Sequence, residues 1–140
     1  MSNDIVMSIH PKWIQKIFTG EKTYEVRRRA PLQVPPFKVY VYCTKGEGDW
    51  LSEIIDSREI YKLNGNIVGE FTCDNMIDCY APWKNHESGT CLTAKELSDY
   101  CGCGNNLTFM HITDPVIYDE PKKLENFGLT RPPQSWCYIK

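Results

Sequence analysis

The sequence lacks any apolar run approaching the roughly 20 residues that span a bilayer, so no membrane helix is expected. Its opening residues, Met1-Ser2-Asn3-Asp4, have neither the basic stretch nor the apolar core of a secretory signal, and the chain is expected to stay in the cytosol. Seven cysteines are present, but the odd number without an export signal argues against a disulfide framework, and reduced thiols are expected. Cys101-Gly102-Cys103, with Cys73, Cys79, Cys91 and His86 nearby, does not form a paired Cys-x2-Cys knuckle, so no metal is expected. No histidine is placed by the sequence beside a thiol, which leaves a Cys–His nucleophilic pair without support. A phosphate-cradling Gly-rich loop and a dinucleotide fingerprint are also missing, and no cofactor is expected. Without repeats, low-complexity tracts or linkers, residues 1–140 read as one domain.

What is present is a chain long enough to bury a core without covalent staples. Its net charge of −2 hides an asymmetry: residues 1–45 hold eight Lys/Arg against three Asp/Glu, and the rest hold eight against fifteen. Such a cluster creates a local positive field on a mildly acidic protein, unless it is only a solvated face.

Ile5-Val6-Met7-Ser8-Ile9 suits a buried strand. Pro11 fits the first position of a helix whose apolar face carries Trp13, Ile14, Ile17 and Phe18 and which Gly20 terminates. Thr23 to Arg28 alternates as a strand, Tyr24 and Val26 on one face, Glu25 and Arg27 on the other. Lys38 to Thr44 is a further strand. Trp50, Leu51, Ile54 and Ile55 have helical spacing, and Asn64-Gly65 signals a turn into a strand from Ile67 to Cys73 or beyond. Thr93 to Cys101 carries a capping box (Thr93, Glu96) and a hydrophobic staple (Leu92, Leu97), with Gly102 as its stop. Strands are expected at Phe109–Thr113, Val116–Glu120 and Ser135–Ile139. The pattern implies an α+β fold with a mixed, barrel-like sheet and two or three helices.

The chemistry concentrates in Gly20 to Arg29. Lys22 leaves a tight turn beside the strand that carries Glu25 and Arg27, so the three can converge, with the carboxylate orienting two cations. A cluster of this kind binds a phosphate or a carbonyl-rich base edge. In a dry site it also lowers the Lys pKa enough for acid–base work. The competing interpretation is an exposed ion-pair ladder worth little.

Val6-Met7-Ser8-Ile9-His10-Pro11-Lys12, Ile14 to Phe18, and above all Gly20-Glu21-Lys22-Thr23-Tyr24-Glu25-Val26-Arg27-Arg28 resemble the ASCH domain, a branch of the PUA-like superfamily. The Gly-x-Lys-x-x-Glu-x-Arg core matches that family's signature. Val68-Gly69-Glu70-Phe71 and Pro132-Pro133-Gln134-Ser135-Trp136-Cys137-Tyr138 resemble later parts of small stand-alone bacterial and phage members. The resemblance implies a PUA-like mixed β-barrel flanked by two or three helices, with a cleft bearing Lys22, Glu25 and Arg27. It implies RNA binding as the general activity, and for some members hydrolysis of an acetylated cytidine or of RNA. The amidohydrolase branch carries Lys-Thr-x-Thr-x-Arg; this chain has Glu25 where the second, catalytic Thr stands, so the nucleophile of that reaction is missing.

The expected ligand-binding set is therefore Ser8, His10, Trp13, Lys22, Glu25, Arg27, Arg28, Gln134, Ser135 and Trp136. Trp13 and Trp136 are candidates for base stacking, with core packing as the alternative for each. The leading reading is an RNA-, nucleotide- or nucleoside-binding domain with a basic cleft. The alternatives are a nucleoside or RNA hydrolase, with Lys22 and Glu25 catalytic, and a protein-interaction module for an acidic partner.

Overall fold

The computed structural model describes residues 3–45 and 64–139, with the backbone of 54–55 and 58–59. Six strands form one mixed sheet: β1 (Ile5–Ile9), β2 (Tyr24–Arg27), β3 (Phe37–Cys43), β6 (Ile67–Tyr80), β7 (Asn106–Lys122) and β8 (Trp136–Tyr138), in the order β2-β7-β6-β3-β1-β8. β1 runs parallel to β3 and antiparallel to β8; the other ladders are antiparallel. β1 is covered on both faces, which is why it is a continuous apolar run. Ile5, Met7 and Ile9 enter the main core, and Val6 packs with Tyr42, Ile67 and Leu129 on the opposite side.

β7 spans the two strands expected at Phe109–Thr113 and Val116–Glu120. The break at Asp114-Pro115 is absorbed as an irregularity: the pairing steps from Thr72↔Thr113 to Glu70↔Val116, with Asp114 at φ +49. Pro115 lacks an N–H and is tolerated at such a bulge. The β6–β7 ladder holds three register shifts, and each bends and twists the sheet further. The sheet curls into a half-barrel whose edges, β2 and β8, are bridged by side chains and not by a backbone ladder. Arg27 donates to Ser135 Oγ and Ser8 O, both at 3.1 Å, and Trp136 Nε1 donates to Arg29 O at 3.1 Å.

Two α-helices flank this sheet among the described residues. α1 (Pro11–Phe18) starts with Pro at its first turn, buries Ile14 and Ile17, and ends before Gly20, at φ +85. α2 (Ala94–Cys101) has the expected capping box; Thr93 Oγ1 accepts from Glu96 N, and the Glu96 carboxylate accepts from Thr93 N. Leu97 and Cys101 pack with Val26, Trp83 and Phe109 in a second core under Leu92. No helix among the described residues is long and apolar enough to cross a membrane.

The expectation of helical spacing through Trp50, Leu51, Ile54 and Ile55 is corrected in part. Trp50 and Leu51 lie outside the described residues, but β4 (Ile54–Ile55) pairs antiparallel with β5 (Arg58–Glu59). Two adjacent β-branched residues favour extended backbone over a helix turn.

Candidate functional site

A cleft of about 540 Å³ opens between α1, β2 and α2, within the range of small-molecule sites. Lys22 forms part of its wall. The turn after α1 is pinned by the bond from Lys22 N to Lys16 O (2.9 Å), which turns the side chain inward; the residue is only 2% exposed. Its Nζ donates to Thr90 O at 2.6 Å and lies 5.0 Å from the centre of the Trp13 ring, a cation–π distance. Burial pulls the Lys22 pKa down. Nearby Glu25 and Cys91 partly offset this, and Arg27 adds to the lowering.

Thr90 is delivered by a loop glued to β2. Gly89 adopts φ +78, and its carbonyl accepts from Thr23 N (2.8 Å) and Tyr24 N (2.9 Å). A Cβ there would lie 2.3 Å from Thr23 Oγ1, so only glycine fits. Thr90 Oγ1 donates to Glu87 O at 2.7 Å and accepts from Leu92 N at 3.1 Å, and the Glu87 carboxylate accepts from Ala94 N at the head of α2.

Glu25 and Arg27 share the cleft face of β2, while Tyr24 and Val26 pack with the second core, as the two-residue alternation requires. Glu25 is 6% exposed. Its Oε1 accepts from Val26 N at 3.2 Å and lies 3.7 Å from Arg27 Nε. Its Oε2 has no hydrogen-bond partner among the described residues, and neither does Arg27 Nε. Arg27 thus spends its terminal nitrogens on Ser135 and Ser8 and keeps Nε in reserve. Glu25's close cation is Arg27; Lys22 is instead held by Thr90 and Trp13.

Ser8, His10, Trp13 and Gln134 line the same cleft. His10 precedes α1 with extended backbone and makes no side-chain cap. Ser8 Oγ donates to Pro133 O at 2.6 Å, fixing the segment that carries Gln134. Trp13 is both a wall of the cleft and packed on the main core. Arg28, Ser135 and Trp136 lie outside it. Arg28 follows Arg27 by one residue, so alternation turns it away, and its guanidinium sits 5.3 Å from the Tyr100 ring centre. Ser135 is consumed by the Arg27 bond, and Trp136 packs on the main core and lines a neighbouring groove.

Sequence reasoning missed the far wall: Thr90, Leu92, and from α2 Glu96, Asp99 and Tyr100. The signal existed, since positions 96, 99 and 100 share one helix face. Because of it the cleft is not basic throughout; Lys22 and Arg27 face Glu25, Glu96 and Asp99. None of the seven cysteines forms a disulfide, and burial pushes the Cys43 thiol up to about 12 and Cys73 to about 11, which makes these two poor nucleophiles. No three metal-ligating side chains gather among the described residues.

A curled mixed sheet flanked by short helices, with a polar cleft at β2, is a fold of the α+β class. Within that class the fold is the ASCH fold. The ASCH protein of Zymomonas mobilis superposes with a TM-score of 0.71 at 20% identity, over 99% of this chain and 88% of that one. A Ser-to-Ala variant of it gives 0.73 at 19% identity, over 99% and 89%. The N-terminal domain of Staphylothermus marinus McrB is more distant, at 0.55 and 11% identity, over 100% and 90%. Compared by sequence, the chain matches no family model and no curated protein.

Proposed function

We propose that this chain is a nucleic-acid-binding domain that takes one unpaired base, or a free nucleoside or nucleotide, into the cleft between Lys22, Glu25 and Arg27. The observation that carries this reading is Glu25 Oε2, a buried carboxylate oxygen without a partner beside a buried ammonium. Buried polar atoms are almost always satisfied, and an exception in the wall of a cleft calls for a partner that a ligand would supply. A base edge offers what is missing: an amino or imino N–H for Glu25 and a carbonyl or ring nitrogen for Lys22 or Arg27. A phosphate fits poorly there, because Glu25, Glu96 and Asp99 would repel it. Those carboxylates also weigh against an acidic protein partner. Trp13, whose ring already carries Lys12 at 4.8 Å and Lys22 at 5.0 Å, adds an aromatic wall, and Ser8, His10 and Gln134 offer further polar contacts. The ASCH fold supports the same reading.

The test is calorimetric binding of the four nucleosides to wild type and to Glu25→Gln. Saturable, base-selective binding that changes selectivity in the variant supports the proposal; binding that ignores the base in both proteins contradicts it. One observation favours a second reading. The lowered Lys22 pKa suits a general base, so the same cleft could hydrolyse a modified nucleoside or RNA, with Glu25 holding the ammonium's field. Product formation from a nucleoside panel, lost in both Lys22→Ala and Glu25→Gln, would identify that enzyme.

A further inference from the structure

The cleft is the first of three hollows that share walls. Tyr100 lines both the cleft and a neighbouring cavity of about 480 Å³, whose other walls are Arg28, Arg29 and Ser135. Arg28 and Arg29 in turn line a third groove of about 810 Å³. That groove is apolar and aromatic. Trp136 and Tyr138 stand edge to face at 5.3 Å, and across from them Leu32 and Val34 are 98% and 85% exposed on a Pro-flanked loop. Its one acid, Asp78, already accepts from Thr108 Oγ1 at 2.8 Å. The order of chemistry along the surface is therefore a hydrogen-bonding cleft, a pair of arginines, and an aromatic groove.

We infer that the three hollows form one track for single-stranded nucleic acid, in which Arg28 and Arg29 hold a phosphate and the Trp136–Tyr138 groove takes the adjacent base. This rests on the proposed function for its first step and extends it from one base to a strand. Three features carry it. The Arg28 guanidinium lies over the Tyr100 ring, which leaves its N–H edge for a phosphate. Trp136 Nε1 anchors the Arg29 carbonyl, so the arginine pair and the aromatic groove move as a unit. The cation pair also complements the charge of a phosphodiester, while the groove adds a π face, an apolar rim and, at Gln33 Oε1, one acceptor without a hydrogen-bond partner among the described residues. Such a surface stacks any base.

The experiment is calorimetry with the four ribonucleosides, their homodinucleotides and their homohexamers, on wild type, Arg29→Ala and Tyr138→Ala, both exposed positions. The hexamer should bind at least about ten-fold more tightly than the nucleoside, the increment of a stacked base. Arg29→Ala and Tyr138→Ala should each remove most of that gain and leave nucleoside affinity unchanged. The one phosphate held by the arginine pair predicts a log–log salt slope of about −0.7 for the hexamer, shallower in Arg29→Ala. Glu25-dependent nucleoside binding without any gain on lengthening overturns the track and leaves the cleft reading standing. Arg29-dependent hexamer binding with no nucleoside affinity sinks the cleft reading instead. Displacement of the hexamer by polyglutamate at equal charge concentration would mark the surface as a protein-docking patch and overturn the track.

Discussion

Glu70 and Glu25 each stand beside lysine and a third hydrogen-bonding group on the same curled sheet, and their surroundings differ in one respect. Glu70 is fully used. Its Oε2 lies 2.8 Å from Lys38 Nζ, and its Oε1 accepts from Tyr118 OH at 2.9 Å. Burial alone would push its pKa up, but the bonds from Lys38 and Tyr118 outweigh that and hold it below the ordinary carboxylate range. The same bond raises Lys38. Around Glu25 the balance is reversed: one carboxylate oxygen and one guanidinium nitrogen are left over, and burial lowers the lysine. One cluster closes on itself and supports the sheet; the other leaves bonding capacity unspent in the wall of a cleft.

The largest effect that sharpens this contrast is expected at Lys22. Lys22→Met keeps the volume and removes the charge, so nucleoside affinity should fall about 100-fold, the worth of a charge-assisted bond. Stability should change by no more than about 1 kcal/mol, because removing a buried charge offsets the donor lost to Thr90. Urea unfolding beside calorimetry checks both; a stability loss of several kcal/mol with affinity intact would make Lys22 structural and end the contrast.

The loop that presents Thr90 is the next point of attack. Gly89→Ala combines a positive φ with a Cβ placed 2.3 Å from Thr23 Oγ1, and should destabilise by at least about 2 kcal/mol. Gly20→Ala, just past the end of α1, has a positive φ but open space around its Cβ, so about 1 kcal/mol is expected. Equal losses at the two sites in urea melts would show that the loop does not need its close seat on β2.

pH separates the clusters more gently. Lys22 titrates below its ordinary 10.5, so nucleoside affinity should decline as pH rises through that lowered value, while Lys38 keeps its charge beyond 10.5. For stability the signs are opposite. The unfolded chain holds the Lys22 proton more tightly, so this residue's penalty is full below its folded pKa and fades as pH climbs toward 10.5. Glu70 contributes fully above about 4.5, and its contribution is lost as pH falls through its lowered pKa. Unfolding free energies at pH 3, 7 and 10, with Lys22→Met as the reference, would reveal an error in either sign.

Much of this geometry was legible in the sequence because it depends on local rules. Period-two alternation put Glu25 and Arg27 on one face, Pro11 and Gly20 bounded α1, and the Thr93–Glu96 box fixed the start of α2. What was not legible depends on long-range placement. Thr90 meets Lys22 from 68 residues away, through a glycine seat visible only once the loop lies on β2. The acidic face of α2 could be read as a face, but not that it turns toward the cleft. The sequence divides Phe109–Thr113 from Val116–Glu120 at Asp114-Pro115, where proline interrupts the pattern, yet the long β6 partner carries the ladder past it. Trp136 was grouped with the cleft by its motif; the barrel's curl sets it one groove away.

The most direct test compares two identical substitutions, Glu25→Gln and Glu70→Gln, by urea unfolding and nucleoside calorimetry on the same preparations. Glu70→Gln should lower stability by about 1 kcal/mol through the weakened Tyr118 bond and leave affinity unchanged, the exposed Lys38 adding little. Glu25→Gln should change base selectivity at least about five-fold, as expected when a ligand-facing acceptor becomes an amide, and should also cost at least about 1 kcal/mol because Arg27 loses its buried counter-charge. Unaltered selectivity in Glu25→Gln, or altered affinity in Glu70→Gln, would contradict the account.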